Sequence, residues 1–257
     1  MRSLRRADEV SSAAAVIAAM ADGRIGYALQ PVRCIERPHS ELYRECLVRL
    51  VDEAGSVRGP FHFVPQLEAC GAIGLLDEHM IRLALEELET SAGAILGCNI
   101  SVDTMQNASA WSRIRDNILS RPELASRLII EITETHPAKN VEKLLINIAE
   151  ARALGCRIAI DDFGAGFFSP SLLLRLDVDI VKVDASILWT IRKGGAGANT
   201  LRHIVGFAAC VAPIVVLEGV ELDEHLELAC EAGATHVQGY LIAKPLVHRL
   251  PGGLIPA

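Results

Sequence analysis

One pattern, written repeatedly along this chain, limits what it can fold into: a short apolar run that closes on polar or charged groups. It recurs at Tyr27–Gln30, Ala94–Asn99, Leu128–Glu131, Ile158–Asp162, Ile180–Asp184, Ile214–Glu218 and Thr235–Gln238. Between most of these runs lie segments with helical spacing. Val141–Leu154 is one, and the Gly155 that follows suits the left-handed turn on which helices often end. Strands alternating with helices make a parallel sheet covered by helices. At 257 residues the chain suits a single α/β domain, a (β/α)₈ TIM barrel, with a doubly wound open sheet as the alternative. The polar strand ends favour the barrel, because closure brings all of them to one central site.

Composition agrees and excludes several functions. Hydrophobic residues make up 51% and aromatics only 4%, as an aliphatic barrel core requires. The seven cysteines form no CxxC pair and the eight histidines no HxH or HExxH motif, which argues against a zinc cage and for reduced thiols in a cytoplasmic protein. No basic stripe with interleaved aromatics marks a nucleic-acid polymer as partner. No apolar stretch approaches the roughly twenty residues of a membrane span. Arg2, Arg5 and Arg6 before an alanine-rich stretch imitate a secretory signal, but Asp8 and Glu9 interrupt it. The expected organisation is one domain, with a helix over 1–22, the barrel over 23–250 and a tail over 251–257.

The chemistry concentrates at the strand ends. Asp161 and Asp162 are adjacent carboxylates before the glycine-bracketed turn Gly164-Ala165-Gly166. Their repulsion is relieved by a divalent cation, or by the free N–H groups of a helix N-terminus. Oxygen ligands without thiols or paired histidines select magnesium or manganese over zinc. An anionic substrate would also need such ions, since the chain carries a net charge of −7. Lys182 lies in an apolar strand, where an ammonium requires a carboxylate or an anionic ligand beside it. Asp184 and Glu218 are its nearest candidates for a purely structural salt bridge.

In order along the chain, these strand ends resemble the motifs of the EAL-domain cyclic di-GMP phosphodiesterase family. Leu29-Gln30-Pro31-Val32 is similar to YQPI, Glu45-Cys46-Leu47-Val48-Arg49 to EALxR, and Asn99-Ile100-Ser101 to NLS. Glu131-Ile132-Thr133-Glu134 is similar to ExTE, Asp161 to Gly166 to DDFGTG, and Lys182-Val183-Asp184 to KID. Glu218 to Glu221 reproduces EGVE, and Gln238-Gly239-Tyr240 reproduces QGY. Each motif alone is weak, but the ordered set is specific.

The resemblance implies a modified TIM barrel whose first strand runs antiparallel to the others. It implies hydrolysis of one phosphodiester bond of cyclic di-GMP, giving linear pGpG, with two Mg²⁺ or Mn²⁺ ions as cofactors and Ca²⁺ as inhibitor. By the same resemblance Glu45, Asn99, Glu131 and Asp161 hold one ion, and Asp161 and Asp162, with Glu218 nearby, hold the other. Lys182 would hold the attacking water and the phosphate, with Glu218 as candidate general base. Glu221 and Gln238 would orient these groups, and Glu134 would fix the loop Phe163–Ser169. Gln30, Arg49 and Asp184 become substrate contacts, an amide suiting a guanine edge and a guanidinium a phosphate. A homodimer and a fused or separate sensory domain are implied as partners.

The chain departs from the family at Cys46, where alanine is usual, and at Leu217 and Val183, which read as packing changes. The larger departure is Ala165 and Phe167-Phe168-Ser169-Pro170, a loop that loses hydroxyls and gains a proline. Its two phenylalanines either form an interface or fold inward against the barrel rim. The altered loop keeps open a catalytically silent receptor or a protein-interaction module as alternatives to the enzyme.

Overall fold

The computed structural model describes residues 13–133, 136–190 and 195–250. Most of the expected N-terminal helix, Glu134 and the tail from 251 lie outside the described residues. The strands are β1 (Ile25–Cys34), β2 (Glu41–Val51), β3 (Val57–Arg58), β4 (Leu96–Ser101), β5 (Leu128–Thr133), β6 (Arg157–Phe163), β7 (Ile180–Val183), β8 (Ile214–Leu217), β9 (His236–Val237) and β10 (Leu246–Arg249). The helices are α1 (13–21), α2 (Val64–Ala69), α3 (Ile73–Thr90), α4 (Val102–Gln106), α5 (Ala108–Leu119), α6 (Val141–Ala153), α7 (Pro170–Leu173), α8 (Ala185–Thr190), α9 (Gly195–Ala209) and α10 (Asp223–Ala232).

β2, β4, β5, β6, β7, β8 and β9 run parallel, each to the next. β1 closes the ring by pairing antiparallel with both β2 and β9, so the barrel has eight strands and its first strand is reversed. β3 and β10 are added at the edges of β2 and β1. Closure leaves the ring with no free edge.

Alternation along the strands divides the apolar residues between two cores. Val32, Tyr43, Ile129, Ala159, Ile180 and Val216 pack together inside the barrel. Their sequence neighbours point outward: Leu128, Ile130 and Ile132 of β5, Ile158 and Ile160 of β6, Val181 and Val183 of β7 join the larger core beneath the helices. A polar residue follows two positions after each inner-core residue of the parallel strands: Glu45 after Tyr43, Glu131 after Ile129, Asp161 after Ala159, Lys182 after Ile180, Glu218 after Val216. In the reversed β1 the order inverts, and Gln30 precedes Val32. A period of two thus stacks one polar layer on one apolar layer.

The helices begin and end as their residues dictate. Asn140 caps α6 by accepting from the Lys143 N–H, and Gly155, at φ +100°, turns the chain toward β6. α3 buries Ile73, Leu76, Met80, Ile81, Ala84 and Leu88 along one stripe, as an amphipathic helix against a sheet must.

Candidate functional site

The polar layer opens into a cavity of about 520 Å³ whose wall includes Gln30, Glu45, Asn99, Asp161, Asp162 and Glu218. Behind the wall residues Glu45, Asp161 and Glu218, Lys182 is fully buried. Its Nζ lies 3.1 Å from Glu45 Oε2, 2.8 Å from Glu131 Oε2, 2.7 Å from Asp161 Oδ1 and 2.9 Å from Glu218 Oε1. The ammonium has three protons for four carboxylates. Asp161 Oδ1, though close, is left without a proper hydrogen bond. Of the two structural partners expected for Lys182, Glu218 is present and Asp184 is not. Asp184 instead accepts from the Ser186 N–H at 2.9 Å and from its hydroxyl, opening α8 while still lining the cavity.

Glu45 is the best satisfied of the acids. Burial raises its pKa, but Lys182 and hydrogen bonds from Gln238 Nε2 (2.8 Å) and Asn99 Nδ2 (2.7 Å) prevail and hold it below the ordinary carboxylate range. The others go the opposite way. Burial, opposed by Lys182 and reinforced by Glu45 and Asp161, pushes Glu131 up to about 8. Burial and the neighbouring Asp161 carry Asp162 to about 7. Asp161 and Glu218 are raised for the same reason, chiefly burial among other acids.

Two adjacent residues of a regular strand face opposite sides, yet Asp161 and Asp162 both reach the cavity. A register shift between β6 and β7 lies between Ile160 and Phe163, and Asp162 takes φ +53°, the only positive φ outside glycine among the described residues. The bulge turns the second carboxylate inward, and aspartate tolerates the left-handed conformation better than most side chains. Gly97 makes room of another kind: a Cβ there would lie 2.0 Å from Glu131 Oε1 and 2.6 Å from the Tyr43 ring.

Two carboxylate triads, Glu45/Glu131/Asp161 and Asp161/Asp162/Glu218, bring ligand oxygens within 4.8 Å of one another. Asn99 Oδ1, Glu131 Oε1 and Gln238 Oε1 are buried without hydrogen-bond partners. Unpartnered buried oxygens and an all-oxygen donor set fit hard divalent cations.

The remaining expected residues are less uniform. Gln30 is buried, donating to the Ala243 carbonyl at 3.1 Å and accepting from Gln238 at 3.3 Å. Arg49 donates to the carbonyls of Leu47 and Val48 and is not part of the cavity wall. Glu221 is exposed at the rim. On the loop after the paired aspartates, Phe168 is 7% exposed and Phe167 55%, so one ring folds inward and its neighbour does not.

Two contributors escaped the sequence reading. Tyr43 donates its hydroxyl to Glu131 Oε2 at 3.2 Å, and its place two residues before Glu45 on β2 was the available signal. Asp77 sits on the buried stripe of α3 and accepts from the Ser101 N–H and hydroxyl, both at 3.0 Å, securing the end of β4. A lone acid on an apolar stripe could have been noticed.

A model of the EAL domain family matches residues 13–245. Among similar proteins, cyclic di-GMP phosphodiesterase PdeF of Escherichia coli (strain K12) is 29% identical over 209 residues, covering 80% of this chain and 28% of that protein. Probable cyclic di-GMP phosphodiesterase PdeA of the same organism is 31% identical over 220 residues, covering 84% of this chain and 30% of that protein. The chain therefore spans under a third of the length of these relatives. The solved structure of the PaMucR phosphodiesterase in complex with c-di-GMP superposes with a TM-score of 0.76 at 25% identity, over 87% of this chain and 97% of that one.

Proposed function

The chain belongs to the EAL domain family, and from that premise we propose that it hydrolyses cyclic di-GMP to linear pGpG with two divalent ions, Mg²⁺ or Mn²⁺, Ca²⁺ being inhibitory. The observation that carries the reading is charge. Fully ionised, Glu45, Glu131, Asp161, Asp162 and Glu218 bring five negative charges against the one positive charge of Lys182, and two divalent ions bring the four that are missing. Such an imbalance in a buried site is costly unless a ligand relieves it.

Glu45, Asn99, Glu131 and Asp161 would hold one ion, and Asp161, Asp162 and Glu218 the other. Bound there, the ions would supply an acidified water and polarise the phosphoryl oxygens. The side chains do the rest. Lys182 holds the water and a phosphate oxygen, and Glu218, whose carboxylate meets both Lys182 and the cavity, takes the proton. Gln238, just beyond β9 and itself bonded to Gln30 of β1, ties Glu45 in place. Glu221 and Asp184 line the approach, and Arg49 reaches phosphate only by leaving its backbone partners. Glu134 supports the loop after the paired aspartates. A homodimer through the exposed Phe167, and a sensory domain fused or separate, are the partners of this reading.

The test is incubation with cyclic di-GMP and magnesium, followed by chromatographic separation. Linear pGpG should appear, and excess chelator should abolish it. Turnover undiminished by chelator would overturn the role of the ions. Nucleotide binding without product would select the silent receptor, the alternative that the altered loop keeps open.

A further inference from the structure

The cavity wall carries one large side chain that hydrolysis itself does not call for. Trp189, on α8 beyond the Lys182 strand, lines the cavity beside Asp184, Glu218 and Gly219 while 56% of it stays exposed. Its indole N–H donates to the Gly219 carbonyl at 3.1 Å. The ring lies against that glycine: a Cβ at Gly219, which sits at φ +67°, would fall 2.9 Å from Trp189 Cζ2. The indole is therefore held by one edge and one side, next to the residue assigned to proton transfer. Its exposed part is apolar surface in water at the mouth of a carboxylate-lined cavity, an arrangement that a planar ligand would relieve.

We infer that Trp189 is the stacking platform for one purine base of the substrate, a specificity residue marked by no motif of the sequence. The inference rests on the cyclic dinucleotide reading. A phosphodiester seated at Lys182 and Glu218 directs a base sideways to the wall, and an indole already fixed by its own hydrogen bond loses little freedom in receiving it. Base-on-aromatic stacking corresponds to roughly five- to a hundredfold in affinity.

The chain offers its own reporter, since it has two tryptophans and the other, Trp111, is only 2% exposed and donates to Glu150. The full chain in magnesium buffer is titrated with a hydrolysis-resistant phosphorothioate analogue of cyclic di-GMP, by calorimetry and by tryptophan emission in parallel. Binding heat should accompany quenching in the wild type. Trp189→Phe should bind within about threefold of wild type yet lose the quenching, while Trp189→Ala should bind at least about fivefold more weakly. Heat with unchanged wild-type emission, or with Trp189→Ala binding as tightly as wild type, overturns the inference and leaves the dinucleotide reading standing. No heat in the wild type overturns that reading, and the inference falls with it. Should Trp189→Ala not fold, the wild-type emission and the Phe variant decide.

Discussion

Two sets of ion pairs in this molecule obey opposite rules. On the helical layer no cation among the described residues faces more than two acids: Arg113 meets Glu78 at 2.5 Å, Arg152 meets Asp179 at 2.5 Å and Asp177 at 3.0 Å, and Arg115 meets Glu150 at 3.2 Å and Asp116 at 3.1 Å. These groups are partly exposed, and water shares the work of solvating them. Inside the barrel mouth one lysine faces four carboxylates, with side-chain exposures of 1% for the lysine and 0–16% for the acids. The first set ties helices together at small gain. The second is under-compensated where compensation matters most, a contrast that marks the barrel centre as a candidate functional site rather than a source of stability.

The comparison breaks most visibly at Lys182. Lys182→Met leaves four carboxylates without their cation, and the metal-free protein should lose roughly 3–5 kcal/mol, read by denaturant titration. Magnesium should then raise the melting temperature of the variant more than that of the wild type, and equal shifts would deny the ions a place in the cluster. Next, Glu45→Ala should reduce turnover at least about hundredfold without unfolding the barrel. Near wild-type rates at low magnesium would dissociate Glu45 from the site.

A buried acid away from the lysine sharpens the contrast. Burial pushes Asp77 up to about 6, against which the hydrogen bonds from Thr104 and Ser101 are insufficient. For an acid raised in the folded state, the contribution to stability is present below the unfolded value near 4 and is lost as pH rises through 6. Asp77→Asn should therefore match the wild type at pH 4 and exceed it by roughly 2–3 kcal/mol at pH 8, measured by paired denaturant titrations. A pH-independent difference would show that Asp77 stays ionised throughout. Smallest of all, Arg113→Ala should cost less than about 1 kcal/mol and leave turnover unchanged.

Much of this was legible beforehand, and in a particular way. The polar strand ends, and the family resemblance they carry, grouped Glu131, Asp161, Asp162 and Lys182 before any of them was seen in space. How two adjacent carboxylates of one strand both reach the cavity was not legible, because that depends on a bulge whose register is set by pairing with β7. Arg49, read as a phosphate contact, is occupied by its own strand's carbonyls, a local competition invisible in a motif. Phe167 and Phe168 were read as going in or out together, whereas adjacent positions on a turn take different environments.

By itself, then, the amino-acid order determined the strands, their inward faces and the polar layer at one end, since these follow from local spacing and from the cost of burying unpaired charge. Which residues meet across that layer was decided only by closure of the ring. Glu45 and Lys182 are separated by 137 positions, and Gln30 and Gln238 by 208, yet each pair is within hydrogen-bonding distance. The position of the Trp189 ring on Gly219 is of the same kind, for it needs the turn after β8 brought against α8. Contacts of that range depend on strand order and register, which are properties of the whole barrel and of no single segment.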